Sequence, residues 1–84
     1  MMTSGSREDY LIEILRLTDG KGKVKNQELA ERLGVSPASV SEMIRVLSNE
    51  GYVKYTKYVG AKLTKEGLEY AKQIRRKHNL MERF

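Results

Sequence analysis

The 84-residue sequence has no cysteine, a single histidine and no long apolar run. Without cysteine there is no disulfide framework, no thiolate nucleophile and no Cys-based zinc or iron–sulfur site. One histidine excludes a three-histidine metal site and a His-Glu-x-x-His site alike. No stretch approaches the ~20 apolar residues that span a bilayer, and no basic-then-apolar leader opens the chain. A Gly-rich phosphate loop is also missing, and so short a chain leaves little room for a pocketed hydrolase, which makes an enzyme the least supported class. A chain of this length buries only about 60–65% of its unfolded surface, so one domain with a thin core is expected. These absences describe a soluble, cytoplasmic module with no membrane partner.

What is present is charge, unevenly placed. Residues 1–52 carry seven Lys/Arg against eight Asp/Glu, and residues 53–84 carry nine against three, so the last 32 residues hold all of the formal +5. A one-sided basic surface on a small domain points to nucleic acid or an anionic surface as partner. The plainer alternative is solubilising charge on a helix face.

Residues 1–5 are small and polar and are expected to be disordered. Ser6 with Asp9 three residues on reads as a capped helix start, and Tyr10, Leu11, Ile14, Leu15 and Leu17 recur at helical spacing. Gly20 and Gly22 stop that helix, which is expected over residues 7–18. Val24 is an isolated apolar residue in an extended link, and Asn26 is expected to cap a second helix with Leu29, Ala30 and Leu33 on its inner face. Gly34 ends it in the left-handed region. Ser36 is an N-cap with Pro37 at the first helical position, where its missing N–H costs nothing. Val40, Met43, Ile44 and Leu47 form the inward stripe of this third helix, and Gly51 closes it. Two short helices joined by Gly-Val-Ser make a helix-turn-helix pattern.

From Tyr52 to Leu63 the pattern alternates, with Gly60 expected to supply the turn of a β-hairpin. Thr64 caps a last helix whose apolar positions Leu68, Ala71, Ile74, His78, Met81 and Phe84 keep a 3–4 spacing. The expectation is a mostly α fold with a small β-hairpin, a winged helix-turn-helix over residues 6–64, followed by a closing helix over 65–84.

Burying Val40, Ile44 and Leu47 turns Ser36, Pro37, Ala38, Ser39, Ser41, Glu42, Arg45 and Ser48 outward. In helix-turn-helix proteins the start of the second helix reads base edges in the major groove. The serines can donate to phosphates or bases, the Ala38 methyl and the Pro37 ring can pack on thymine methyls, and Glu42 can accept from a cytosine amino group. Arg45 suits a backbone phosphate. Lys54, Lys57 and Lys62 on the wing are spaced to lie along the backbone, and about four to six such contacts give steep salt dependence. Double-stranded DNA is the expected partner.

Five segments together resemble one family. They are Glu8-Asp9-Tyr10-Leu11, the run from Leu29 to Met43 through Ser36-Pro37-Ala38-Ser39-Val40, Gly51-Tyr52-Val53 with Tyr55 and Tyr58, Leu63-Thr64-x-x-Gly67, and Arg76-Lys77-His78 with Glu82. Their order and spacing resemble the iron- and manganese-dependent repressors of the diphtheria-toxin-repressor type, from about Ser6 to Phe84. The resemblance implies a transcriptional repressor that binds Mn²⁺ or Fe²⁺ and acts as a homodimer. It also implies that Asp9, His78 and Glu82 occupy metal-ligand positions. Position 12 departs from the manganese-type pattern, with Ile12 in place of a glutamate, and Glu13 lies about 100° further round the helix. Iron-type members carry Met where this chain has Asp9.

The helical pattern reaches Phe84 with no cap or breaker, so the chain is expected to be the DNA-binding half of a longer repressor, truncated before a dimerisation domain. Two other readings stand beside it: a metal-independent winged-helix regulator, and a winged helix used for protein–protein contact.

Overall fold

In the computed structural model, which describes the backbone of residues 6–82 and the side chains of residues 6–77, α1 (Arg7–Thr18) opens on the expected cap. Ser6 Oγ accepts the Asp9 N–H at 3.1 Å. The helix turns Tyr10, Leu11, Ile14 and Leu15 into the core, each such side chain contributing about 1.5–3 kcal/mol when fully buried. Burial pushes the Tyr10 phenol above its ordinary pKa. Asp19, in the left-handed region at φ 54°, closes α1 ahead of Gly20 at φ 83°.

The link to α2 (Asn26–Leu33) is not merely extended. Val24 exchanges both backbone hydrogen bonds with Ala61, at 2.9 and 2.8 Å, and is buried. This pairing fixes the chain entering α2, so Asn26 becomes the first helical residue and not its cap. The N-cap is Lys25, with no side-chain hydrogen bond, while Asn26 Nδ2 donates to Ser41 Oγ across to α3 at 3.3 Å. Gly34 takes the left-handed conformation at φ 71° and donates to Ala30 O, as expected of a helix-ending glycine.

α3 (Pro37–Asn49) begins with Ser36 Oγ accepting the Ser39 N–H at 3.1 Å and Pro37 in the first turn. Val40, Ile44 and Leu47 are its buried stripe, and Met43 is half-buried against the same core. Strands β1 (Val53–Thr56) and β2 (Gly60–Leu63) pair antiparallel in the register Val53↔Leu63, Lys54↔Lys62, Tyr55↔Ala61, Thr56↔Gly60. The turn is therefore Lys57-Tyr58-Val59, with Tyr58 left-handed at φ 67°. Gly60 is the first residue of β2 instead of the turn, and for a different reason. A Cβ there would stand 2.5 Å from Val24 O, so only glycine lets the two backbones meet.

α4 (Lys65–Glu82) starts at Thr64, whose hydroxyl donates to Gly51 O at 2.6 Å and accepts the Gly67 N–H at 3.0 Å. It lies against α1 and buries Ala71 and Ile74 in the same core cluster as the other helices and the wing. The first and last helices thus clamp a helix-turn-helix whose second helix faces out beside the hairpin.

Candidate nucleic-acid interface

The solvent face of α3 is a ridge with a groove on each side. Ala38, Ser39 and Glu42 line one groove together with Tyr10, Val35, Met43 and Val46. Ser41 and Arg45 line the other with Asn26, Ile44, Ser48, Asn49 and Tyr55 of the wing. Ser36 and Pro37 stand exposed at the head of the ridge. The Ser36 hydroxyl donates to Ser39 Oγ at 3.0 Å, so the two serines begin as a hydrogen-bonded pair. Arg45 Nη2 lies 3.6 Å from Glu42 Oε2 with both side chains more than 70% exposed. Such a pair contributes little to stability, and both groups can turn to a partner.

The wing separates the three lysines expected there. Lys54 and Lys62 stand directly opposite each other on the outer face of the hairpin. Like charges so placed repel, and a nearby anion relieves them. Lys57, in the turn, lines a cleft with Lys25, Asn26, Gln27, Tyr55, Tyr58 and Gly60. Tyr55 and Asn26 belong to both this cleft and the groove along Arg45. One continuous track therefore runs from the exposed side of α3 to the wing tip, bordered by Arg45 at one end and by Lys25 and Lys57 at the other.

Lys25, Gln27 and Asn49 are the residues of this track that the sequence does not single out, while Asn26 enters the sequence reading only as a cap and Tyr55 only as part of the family pattern. Alternation along β1 does put Tyr55 on the same face as Val53. Only the fold reveals that this face runs past the edge of the core and onto α3.

Asp9 lies half-buried in the first turn of α1. The neighbouring Glu8 accepts from the Tyr70 hydroxyl of α4 at 3.4 Å, and Tyr70 stacks on Tyr52 at 5.0 Å between ring centroids. His78 and Glu82 lie outside the residues whose side chains are described. Among the described residues no group of three or more His, Asp or Glu is gathered as a metal site. Ile12 packs against the core, and Glu13 is buried with its carboxylate 3.8 Å from Arg16.

Helix, helix-turn-helix, two-stranded wing and closing helix, in that order, define a winged helix-turn-helix domain with a basic track beside its exposed helix. The chain belongs to the family described as iron dependent repressor, N-terminal DNA binding domain, whose family model matches residues 2–61. It is 39% identical over 83 residues to an HTH-type transcriptional regulator, MntR of Bacillus velezensis. That match takes in 99% of this chain and 58% of the relative, so the chain spans little more than half of the relative's length. Among solved structures it is similar to the metal-dependent transcriptional regulator MtsR, with a TM-score of 0.82 at 33% identity, covering 94% of this chain and 37% of that one. The manganese regulator SloR superposes with a TM-score of 0.74 at 38% identity, covering 93% of this chain and 35% of that one. The family is one of transcriptional regulators. No helix among the described residues is long and apolar enough to cross a membrane.

Proposed function

We propose that this chain is the operator-reading part of a metal-responsive repressor, with α3 in the major groove of duplex DNA and the wing over the adjacent backbone. The observation that carries this is the ridge of α3. Its first turns expose small polar residues, which let the backbone approach a groove wall, and its flank opens on a cationic track. Ser36, Pro37, Ala38, Ser39 and Glu42 read base edges, Ser41 and Arg45 hold one phosphate strand, and Lys57 continues along it. Lys54 and Lys62, on the other face of the wing, meet the opposite strand.

Gel-shift titration of duplex DNA at several salt concentrations tests this. Lys57→Ala should weaken binding to all sequences alike and lower the slope of log K against log salt by about one, and Lys54→Ala should do the same independently. Unchanged slopes in both variants would take the wing off the backbone.

Metal control belongs to the intact regulator in this reading, as does assembly into a homodimer. Its support is the description of MtsR as metal-dependent and of SloR as a manganese regulator. The donors described here do not by themselves fit a metal site: Asp9 is a single half-buried carboxylate, and the buried Glu13 stands beside Arg16. Mn²⁺ or Fe²⁺ would need His78, Glu82 and further ligands. With a dissociation constant of about 1 mM, Mn²⁺ at about 0.1 mM stabilises the fold by under ~0.1 kcal/mol. The expected melting shift of this chain is below about 1 °C. A rise of several degrees would show that these 84 residues complete a tight site unaided.

A further inference from the structure

Tyr58 is a residue that folding alone does not account for. It occupies the left-handed region at φ 67° in the turn of the wing, where glycine or asparagine would sit at lower cost. The residue is 83% exposed, so burial returns almost nothing. The one described contact of the ring with a charged group is the Lys57 ammonium, 5.3 Å from its centroid, on the preceding exposed residue of the turn. A conformational outlier of this kind, at the tip of an element beside a binding ridge, is grounds for a functional role.

Resting on the DNA-binding reading above, we infer that Tyr58 is a specificity-determining residue that enters the minor groove next to the half-site read by α3, and that it favours A·T pairs there. The surroundings select this ligand. The hairpin carries cations on both faces, with Lys25 and Lys57 lining the cleft beside Tyr58 and Lys54 opposite Lys62 on the other face, two pairs back from the turn. A minor groove presents this same pattern in negative charge, two phosphate strands bordering a slot about 6 Å wide. A flat phenol fits such a slot edge-on. Its hydroxyl can donate to the N3 and O2 acceptors that A·T and T·A pairs both show on the groove floor, whereas G·C adds a protruding amino group. A·T-rich minor grooves are also narrower and more negative, which favours a tip flanked by lysines. The left-handed backbone is then the conformation that aims the ring outward from the turn.

The experiment is selection from a pool of random-sequence duplex DNA by the full 84-residue chain and by Tyr58→Gly and Tyr58→Phe, with thermal unfolding of each protein in parallel. The wild type should yield a core motif with an A·T-enriched flank at a fixed offset. Tyr58→Gly should keep the core motif, lose the flank bias, bind roughly tenfold more weakly, and show an unchanged salt slope because no charge is removed. Its melting temperature should hold or rise, since glycine relieves the backbone. Tyr58→Phe should retain most of the affinity and lose the A·T bias with the hydroxyl. Equal affinity and flank composition in Tyr58→Gly would overturn the minor-groove role while leaving DNA binding intact. A lower melting temperature in that variant would assign the ring to the fold and overturn it as well. A wild type that enriches no motif would overturn the DNA reading and this inference with it.

Discussion

Gly67→Ala is expected to lower the melting temperature by roughly 10–20 °C, although alanine is the better helix former by up to about 1 kcal/mol. Gly67 lies in the first turn of α4 directly beneath the carbonyl of Tyr52, and an added Cβ would overlap that oxygen. The obstacle is backbone and is held from several sides. Tyr52 O accepts the Thr64 N–H at 3.0 Å, the Tyr52 ring stacks on Tyr70, and Val53 next to it is buried. Making room means lifting the Tyr52 backbone, which leads into the wing, off α4, and forced core expansions of this kind cost about 1–3 kcal/mol or more. Gly34→Ala is the control. Gly34 has a left-handed φ of 71° but open space where a methyl would stand, with no atom within 4 Å, so it should lose only the ~1–2 kcal/mol of the conformation itself. Circular-dichroism melts of the two variants separate clash from conformation. A Gly67→Ala protein as stable as the wild type would mean that the Tyr52 carbonyl is not seated over α4.

Arg45→Glu is expected to cost roughly 100-fold in affinity for duplex DNA, with the fold unaffected. The guanidinium is largely exposed and its only described ion pair is the 3.6 Å contact with Glu42, so reversal removes little from the folded state. On DNA it replaces an attraction to phosphate by a repulsion, and like charges brought together at an interface cost several kcal/mol. Arg45→Gln should fall between, with the salt slope reduced by about one. Anisotropy titrations of the three proteins on one duplex provide the ranking. Indistinguishable binding by Arg45→Glu would move the interface off this side of α3.

The helices are legible in the sequence because their ends are local chemistry. Ser6, Ser36 and Thr64 each cap a helix by accepting an N–H three residues on, and a three-residue spacing can be read without knowing the fold. The Leu63-Thr64-x-x-Gly67 segment is visible as a pattern, but its reason, the Tyr52 carbonyl over Gly67, lies in a tertiary contact. The same limit explains Asn26 and Gly60. Local preference makes one a cap and the other a turn, and both are reassigned by the pairing of Val24 with Ala61, far apart in the chain. Of the candidate DNA residues, those on α3 follow from its buried stripe. The pleat also sets Lys54 and Lys62 on one face, yet which face borders α3 depends on how the hairpin is docked. For the metal positions, Asp9 alone falls among the described side chains, and its partners in the resemblance fall outside them.

The Val24–Ala61 bridge has a thermodynamic consequence for recognition. A lone two-stranded hairpin is marginal in water and would have to be ordered each time it met a ligand. Here the segment before α2 supplies a second backbone neighbour to β2, opposite β1, so the wing and the chain entering α2 are joined before any DNA arrives. Association then spends little conformational entropy on the reading head, and more of each contact reaches the observed affinity. A short domain with a thin core gains a preorganised grip from two hydrogen bonds.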